Sequence, residues 1–192
     1  MRPDSTGQPP PPRPRQVLAE GRFARLVAQD GWEWVERTNV SGAVVVVAIT
    51  ADGRLILVQQ HRIPLGRPVI EMPAGLAGDL AGSETEELAE AARRELLEET
   101  GFEAARMEYL AAGPASAGLS NEMYTLFLAA DARRVGPGGG DDAENIQVHL
   151  VPLGQVPQWL EERRRLGLLV DPRIYAGLYF ANERLRVPPT NP

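Results

Sequence analysis

No cysteine occurs in this chain, which excludes disulfides and thiolate metal sites and fits a reducing cytoplasm. An excess of positive charge is missing too: 20 Lys+Arg stand against 26 Asp+Glu, a net of -6. A surface that tracks a nucleic-acid backbone needs clustered cations, so nucleic acid is not an expected partner. Long apolar runs are absent. The longest, Ala43 to Ile49, is far too short to span a bilayer, and the Pro-rich start carries no apolar signal-peptide core. No membrane association is expected, and the expected location is the cytoplasm. What is present suffices for a folded domain. Hydrophobic residues make up 43% and charged residues 24% of 192 residues.

The proline cluster at Pro9–Pro12 and Pro14 predicts a flexible or polyproline tail over residues 1–15. Residues 16–40 read as a small β-hairpin subdomain, turning at Gln29-Asp30-Gly31 between Phe23, Leu26, Val27 and Trp32, Trp34, Val35. A main domain then runs over 41–187. Gly42–Thr50 predicts a buried strand, Ala51-Asp52-Gly53 a tight turn, and Leu55–Gln60 the returning strand. Further strands are expected at Val69–Met72, Met107–Ala112, Glu122–Ala129 and Ile146–Val151, and helices at Val156–Arg165 and Pro172–Leu185. The clearest helix is Ser83–Thr100. Ser83 or Thr85 can cap it, acidic residues crowd its first turn, Gly101 ends it, and Leu88, Ala91, Ala92, Leu96 and Leu97 form its apolar stripe. Gly136–Asp142 reads as a mobile Gly-rich loop. His61 and His149 fall in strands and read as structural.

Chemistry concentrates in Arg94-Glu95-Leu96-Leu97-Glu98-Glu99-Thr100-Gly101-Phe102. On a helix, Glu95, Glu98 and Glu99 share a face, and their charges repel unless a cation sits there. Arg94 is adjacent in sequence but points about 100° away at ~3.6 residues per turn. Oxygen ligands of this kind suit a hard divalent ion, Mg2+ or Mn2+. A Glu-rich helix alone is often only a solvated face; the surroundings decide.

Arg94–Phe102 resembles the core of the Nudix box, with Glu86 at the place of its earlier glutamate. Upstream, Glu71-Met72-Pro73-Ala74-Gly75 resembles the E-x-P-A-G opening found in the ADP-ribose pyrophosphatase branch. Ten residues separate Gly75 from Glu86 where the box ordinarily has five, so a Gly-rich loop is inserted; such a loop costs little entropy to lengthen. The segments starting at Gln60, Gly118, Asp142 and Leu169 resemble further parts of that branch, in order.

The resemblance implies an α/β fold, the Nudix α/β/α sandwich with a mixed sheet, together with the small N-terminal β subdomain. It implies metal-dependent hydrolysis of the pyrophosphate of ADP-ribose or a related nucleoside diphosphate sugar. Glu95, Glu99 and Glu98 would hold the metal, with the Ala74 carbonyl and Glu86 completing the sites. Arg94 would orient a neighbouring glutamate such as Glu86. Glu144, or else Asp142, would be the general base. Arg62 would pair with phosphate, Trp32 would stack on the base, and Glu71 would join substrate binding. Relatives are usually homodimers that swap their N-terminal strands, so a homodimer is expected. The proline that ADP-ribose enzymes often carry past the box is absent here; the position is Ala117, with Pro114 earlier. GDP-mannose or ADP-glucose therefore stays open as substrate, as do a catalytically silent nucleotide sensor and a MutT-like triphosphatase.

Overall fold

The computed structural model describes residues 13–79, 82, 85–140 and 145–186. These form two compact units. The smaller takes in the described residues up to Asn39 together with Pro114–Glu122; the larger runs from Val40 to Gly113 and from Met123 onward.

The smaller unit is built on a three-stranded antiparallel sheet in the order β1 (Gln16–Glu20), β2 (Ala24–Gln29), β3 (Trp32–Arg37). The expected hairpin is β2–β3, and its turn is made by Asp30 and Gly31, both at positive φ (51° and 87°), as a two-residue hairpin turn demands. β1 is an addition. It is exposed along its whole length, so it lacks the alternation that betrays a strand. Residues 1–12 of the expected tail lie outside the described residues. Arg13 is tied to the turn, its N–H donating to Asp30 Oδ1 (3.1 Å) and its carbonyl accepting from Gln29 Nε2 (2.7 Å). Pro114–Glu122 joins this unit through its backbone: Val35 N–H donates to Leu119 O (2.8 Å).

The larger unit is a mixed nine-stranded sheet among the described residues, with helices on both faces. Its centre is β4 (Gly42–Thr50), paired in parallel with β10 (Met123–Arg134) and antiparallel with β5 (Arg54–Arg62) and β7 (Ala74–Ala77). β5 continues to β6 (Arg67–Glu71) and β11 (Gln147–Pro152). The short β8 (Phe102–Glu103), β9 (Glu108–Pro114) and β12 (Leu169–Val170) complete the edges. The unbroken Val/Ala/Ile run of β4 follows from burial on both faces. Val45, Val47 and Ile49 face one way, packing with Val156 and Leu160 of α2 (Val156–Arg165) and Ile174 and Ala181 of α3 (Arg173–Arg186). Val44, Val46 and Ala48 face the other way, against Ala91, Ala92 and Leu96 of α1 (Leu88–Thr100). Gly177 lets α3 close on the sheet; a Cβ there would stand 2.7 Å from Met72 Cε.

Three expectations change. α1 begins at Leu88, not Ser83, and its N-cap Glu87 makes no side-chain capping bond. Only Glu90 stands in its first turn, because Glu86 is engaged elsewhere, by Arg94 and the Gly78 N–H. Leu97 is exposed instead of joining the apolar stripe. Beyond these three, β7, β8 and β12 come as additions; they span only two to four residues, too few to show a period. No helix among the described residues is long and apolar enough to cross a membrane.

Candidate active site

β7 lies antiparallel on β4 with Val45 opposite Ala74 and Val44 opposite Gly75, and this register sets its backbone against α1. Two glutamates of α1 meet that backbone. Glu99, 3% exposed, accepts a hydrogen bond from the Ala74 N–H at Oε2 (3.1 Å). Glu95 brings its carboxyl group onto Gly75. A Cβ at residue 75 would stand 1.9 Å from Glu95 Cδ, so only glycine admits the carboxyl group there. Glu98, the third acid of the face, is about half exposed.

Arg94 organises the acids. Its guanidinium contacts Glu86 (Nε–Oε1 3.1 Å), Glu95 (Nη1–Oε1 2.8 Å), Glu98 (Nη1–Oε2 3.1 Å) and Asp79 (Nη2–Oδ1 3.4 Å), and donates to Leu76 O (2.8 Å). The expectation that Arg94 points away from Glu95 is corrected here. The Cα–Cβ vectors diverge, but the long arginine side chain folds back over the helix and its fork reaches both acids. Glu86, eight residues before Arg94, lies outside α1 and is also bound by the Gly78 N–H (3.3 Å). The Arg94 hydrogen bonds hold the Glu86 carboxyl below its ordinary range against the pull of burial. Burial pushes the Glu95 carboxyl up; Arg94 opposes the rise and Glu98 and Asp79 add to it.

Four carboxyl groups therefore share one guanidinium, with Glu99 beside them. The donors are all oxygen and carry surplus negative charge, the chemistry that suits a hard divalent cation. Among the described residues no group of three or more His, Cys, Asp or Glu side chains is drawn together in ligating geometry. The reason is visible: Glu95 and Glu98 are turned to Arg94 and Glu99 to the Ala74 N–H. In its chemistry, all oxygen and net negative, the donor set fits the ion.

A second charged chain lies between β5, β6 and the start of α3. Glu71, 5% exposed, accepts from Arg62 Nε (2.8 Å) and lies 3.7 Å from Arg173 Nη2. Arg173 is in turn paired with Asp171 and stands 5.7 Å over the ring of Tyr124. The Nε of Arg62 is thus engaged by Glu71. Nothing in the sequence pattern singles out Arg173, since Asp171-Pro172-Arg173 reads only as a helix start.

The Gly-rich loop is anchored where it is described. Gly139 N–H donates to Glu99 O (2.8 Å) and Gly140 N–H to Glu98 O (3.1 Å), satisfying two of the carbonyls that a helix C-terminus leaves open. Gly101 and Gly138, both at positive φ, make the approach possible. A Cβ on Gly138 would stand 2.2 Å from the Thr100 carbonyl carbon. This part of the loop is hydrogen-bonded to the end of α1; Asp142 and Glu144 lie outside the described residues. Gly138→Ala is expected to destabilise the fold by at least about 1–3 kcal/mol from the positive φ alone, read as a lower urea midpoint.

In the smaller unit, a cavity of about 380 Å3 is lined by Trp32 and Trp34, by Gln29 and Asp30, and by Ala117, Gly118, Ser120 and Asn121. Trp32 is 66% exposed, so it presents an uncovered indole face. Away from these places His149 packs against Trp159, ring centres 5.0 Å apart, and His61 lies in β5.

Known proteins resemble this chain over part or most of its length. A curated methanol dehydrogenase activator from Bacillus methanolicus is 33% identical over 124 residues, 64% of each chain. An ADP-ribose pyrophosphatase from Bacillus subtilis is 41% identical over 88 residues, 46% of this chain and 45% of that one. The matches thus span less than two thirds of these relatives' own lengths. A solved ADP compounds hydrolase superposes with a TM-score of 0.69 at 23% identity, covering 93% of this chain and 95% of that one, and shares the fold. The family model of the NUDIX domain matches residues 40–169, which take in β4, the Gly75 strand and the acidic face of α1. The chain belongs to the NUDIX domain family.

Proposed function

We propose that the protein hydrolyses the pyrophosphate of ADP-ribose, or of a closely related nucleoside diphosphate sugar, to a nucleoside monophosphate and a sugar phosphate. The observation that carries this reading is the gathering of Glu86, Glu95 and Glu98 on Arg94, with Glu99 held at the same β7 backbone. The likeness to an ADP-ribose pyrophosphatase supports the choice of substrate.

In this proposal Glu95, Glu98 and Glu99 hold Mg2+ or Mn2+, with the Ala74 carbonyl and Glu86 completing the sites. Such an ion, when bound, neutralises phosphate charge and lowers the pKa of a coordinated water. Gly75 gives the Glu95 carboxyl group room beside the strand. Arg94 holds Glu86 ionised and, by its reach to Glu95 and Glu98, keeps the acids on one side of α1. Glu144 is assigned as the base that takes the proton of the attacking water. Arg62, oriented by Glu71, binds phosphate oxygens, a task its forked guanidinium suits. Trp32 supplies a stacking face for the base, which its exposure allows. The working form is a homodimer, and its partners are small nucleotides.

The test is a panel with Mg2+: ADP-ribose, ADP-glucose, GDP-mannose, a diadenosine polyphosphate and a nucleoside triphosphate. ADP-ribose cleaved fastest, to AMP and ribose 5-phosphate, is the expected result. Preference for GDP-mannose or ADP-glucose would move the substrate and keep the chemistry. Tight nucleotide binding without turnover would overturn the enzymatic reading in favour of a sensor.

A further inference from the structure

Glu36 is a carboxylate that none of this chemistry uses. It sits on β3 in the smaller unit, 5% exposed, with four donors around it. Arg15 and Arg25 approach one side, Arg25 Nε at 3.0 Å from Oε2. On the other side Oε1 accepts from Trp34 Nε1 (2.9 Å) and Asn121 Nδ2 (3.3 Å). Burying a lone carboxylate is costly, so a position like this stands only when the charge is paired and its lone pairs are filled.

Two of the four donors have a second role. Trp34 and Asn121 both line the cavity of the smaller unit, one from β3 and the other from Pro114–Glu122. Trp34 Nε1 is bonded to Glu36, so the indole cannot turn about its χ angles without losing that bond. Asn121 is held by the same oxygen, 85 residues away in sequence. One carboxylate therefore fixes two walls of the cavity, and the two arginines hold that carboxylate in turn.

We infer that Glu36 is a positioning residue: it locks Trp34 and Asn121 so that the cavity keeps its shape before a nucleotide base enters it, and so sets the affinity for the base. Pre-formed walls raise affinity because less side-chain freedom is lost on binding. The inference rests on the base-recognition reading given above. It needs no contact between Glu36 and the ligand.

The experiment measures the Kd of ADP-ribose in EDTA, by calorimetry, for the full chain and its Trp32→Ala, Glu36→Met and Trp34→Phe variants. Methionine keeps the length of the side chain but offers no oxygen to Trp34 Nε1 or Asn121 Nδ2. The side chains of Arg15 and Arg25 are 39% and 34% exposed, so water can solvate them once the charge is gone and the fold should survive. The expected result is Kd raised about tenfold by Glu36→Met and about threefold by Trp34→Phe, which keeps an aromatic wall but cannot donate. A spectroscopic reading goes with it. With Trp32 and Trp159 replaced by Phe, Trp34 is the one indole left of three, and Glu36→Met should lower its fluorescence anisotropy. If Trp32→Ala weakens binding while Glu36→Met leaves Kd and anisotropy unchanged, the base pocket stands and the positioning role is wrong. A Glu36→Met variant that melts earlier but binds normally would be equally contrary, showing a purely structural carboxylate. If Trp32→Ala also binds as the wild type does, the base-recognition reading falls and takes this inference with it.

Discussion

Glu99→Gln is expected to lower kcat by about two to three orders of magnitude while leaving thermal stability unchanged or raised. The two effects separate because Glu99 is 3% exposed and bonded to the Ala74 N–H at 3.1 Å. An amide oxygen can accept that same hydrogen bond, and a neutral amide costs less to bury than a carboxylate. What the substitution removes is the charge, which matters only if the residue holds a cation in the reaction. Measuring kcat beside the melting midpoint therefore tells a functional acid from a structural one. A variant that melts lower but turns over normally would mean that Glu99 is a packing residue.

Gly75→Ala is the counterpart on the facing strand. The new Cβ would overlap Glu95 Cδ at 1.9 Å, so one of the two must give way. The carboxyl group is the far end of a flexible side chain and gives way more readily than β7, which is paired along its length with β4. Little stability is lost, but Glu95 is displaced by an ångström or more. A shift of that size at a reacting site is worth about 100-fold in rate. The expected outcome is a folded protein with kcat down by about that factor. Stopped-flow or steady-state rates on a variant with a wild-type near-UV spectrum check it. Normal turnover would show that Glu95 does not act from its position beside Gly75.

Some of this was legible in the residues themselves. β4, α2 and the β2–β3 turn announce themselves because period, length and turn chemistry agree. The acidic face of α1 is a matter of three- and four-residue spacing, so Glu95, Glu98 and Glu99 are found without a structure. What was hidden depends on distance. The fold-back of Arg94 over Glu95 and Glu98 belongs to side-chain length and rotamer, which residue spacing ignores. The start of α1 shifts because tertiary partners claim Glu86 before it can join the helix. The docking of Gly138 against Thr100, Arg173 on Glu71, and Asn121 on Glu36 all join positions far apart in sequence. No local pattern marks such pairs. A Gly-rich stretch reads as mobile, yet the freedom that glycine gives is what lets Gly139 and Gly140 reach the end of α1.

The most direct test of the central claim is phosphorus NMR of ADP-ribose incubated with the purified protein, first in EDTA, then with Mg2+ added in excess, then with EDTA again. The account predicts no change in the pyrophosphate signals at first, their conversion to AMP and ribose 5-phosphate once Mg2+ is present, and arrest when it is removed. Cleavage at the same rate in EDTA, or intact ADP-ribose throughout while GDP-mannose, ADP-glucose and the other panel compounds are equally untouched, would contradict it.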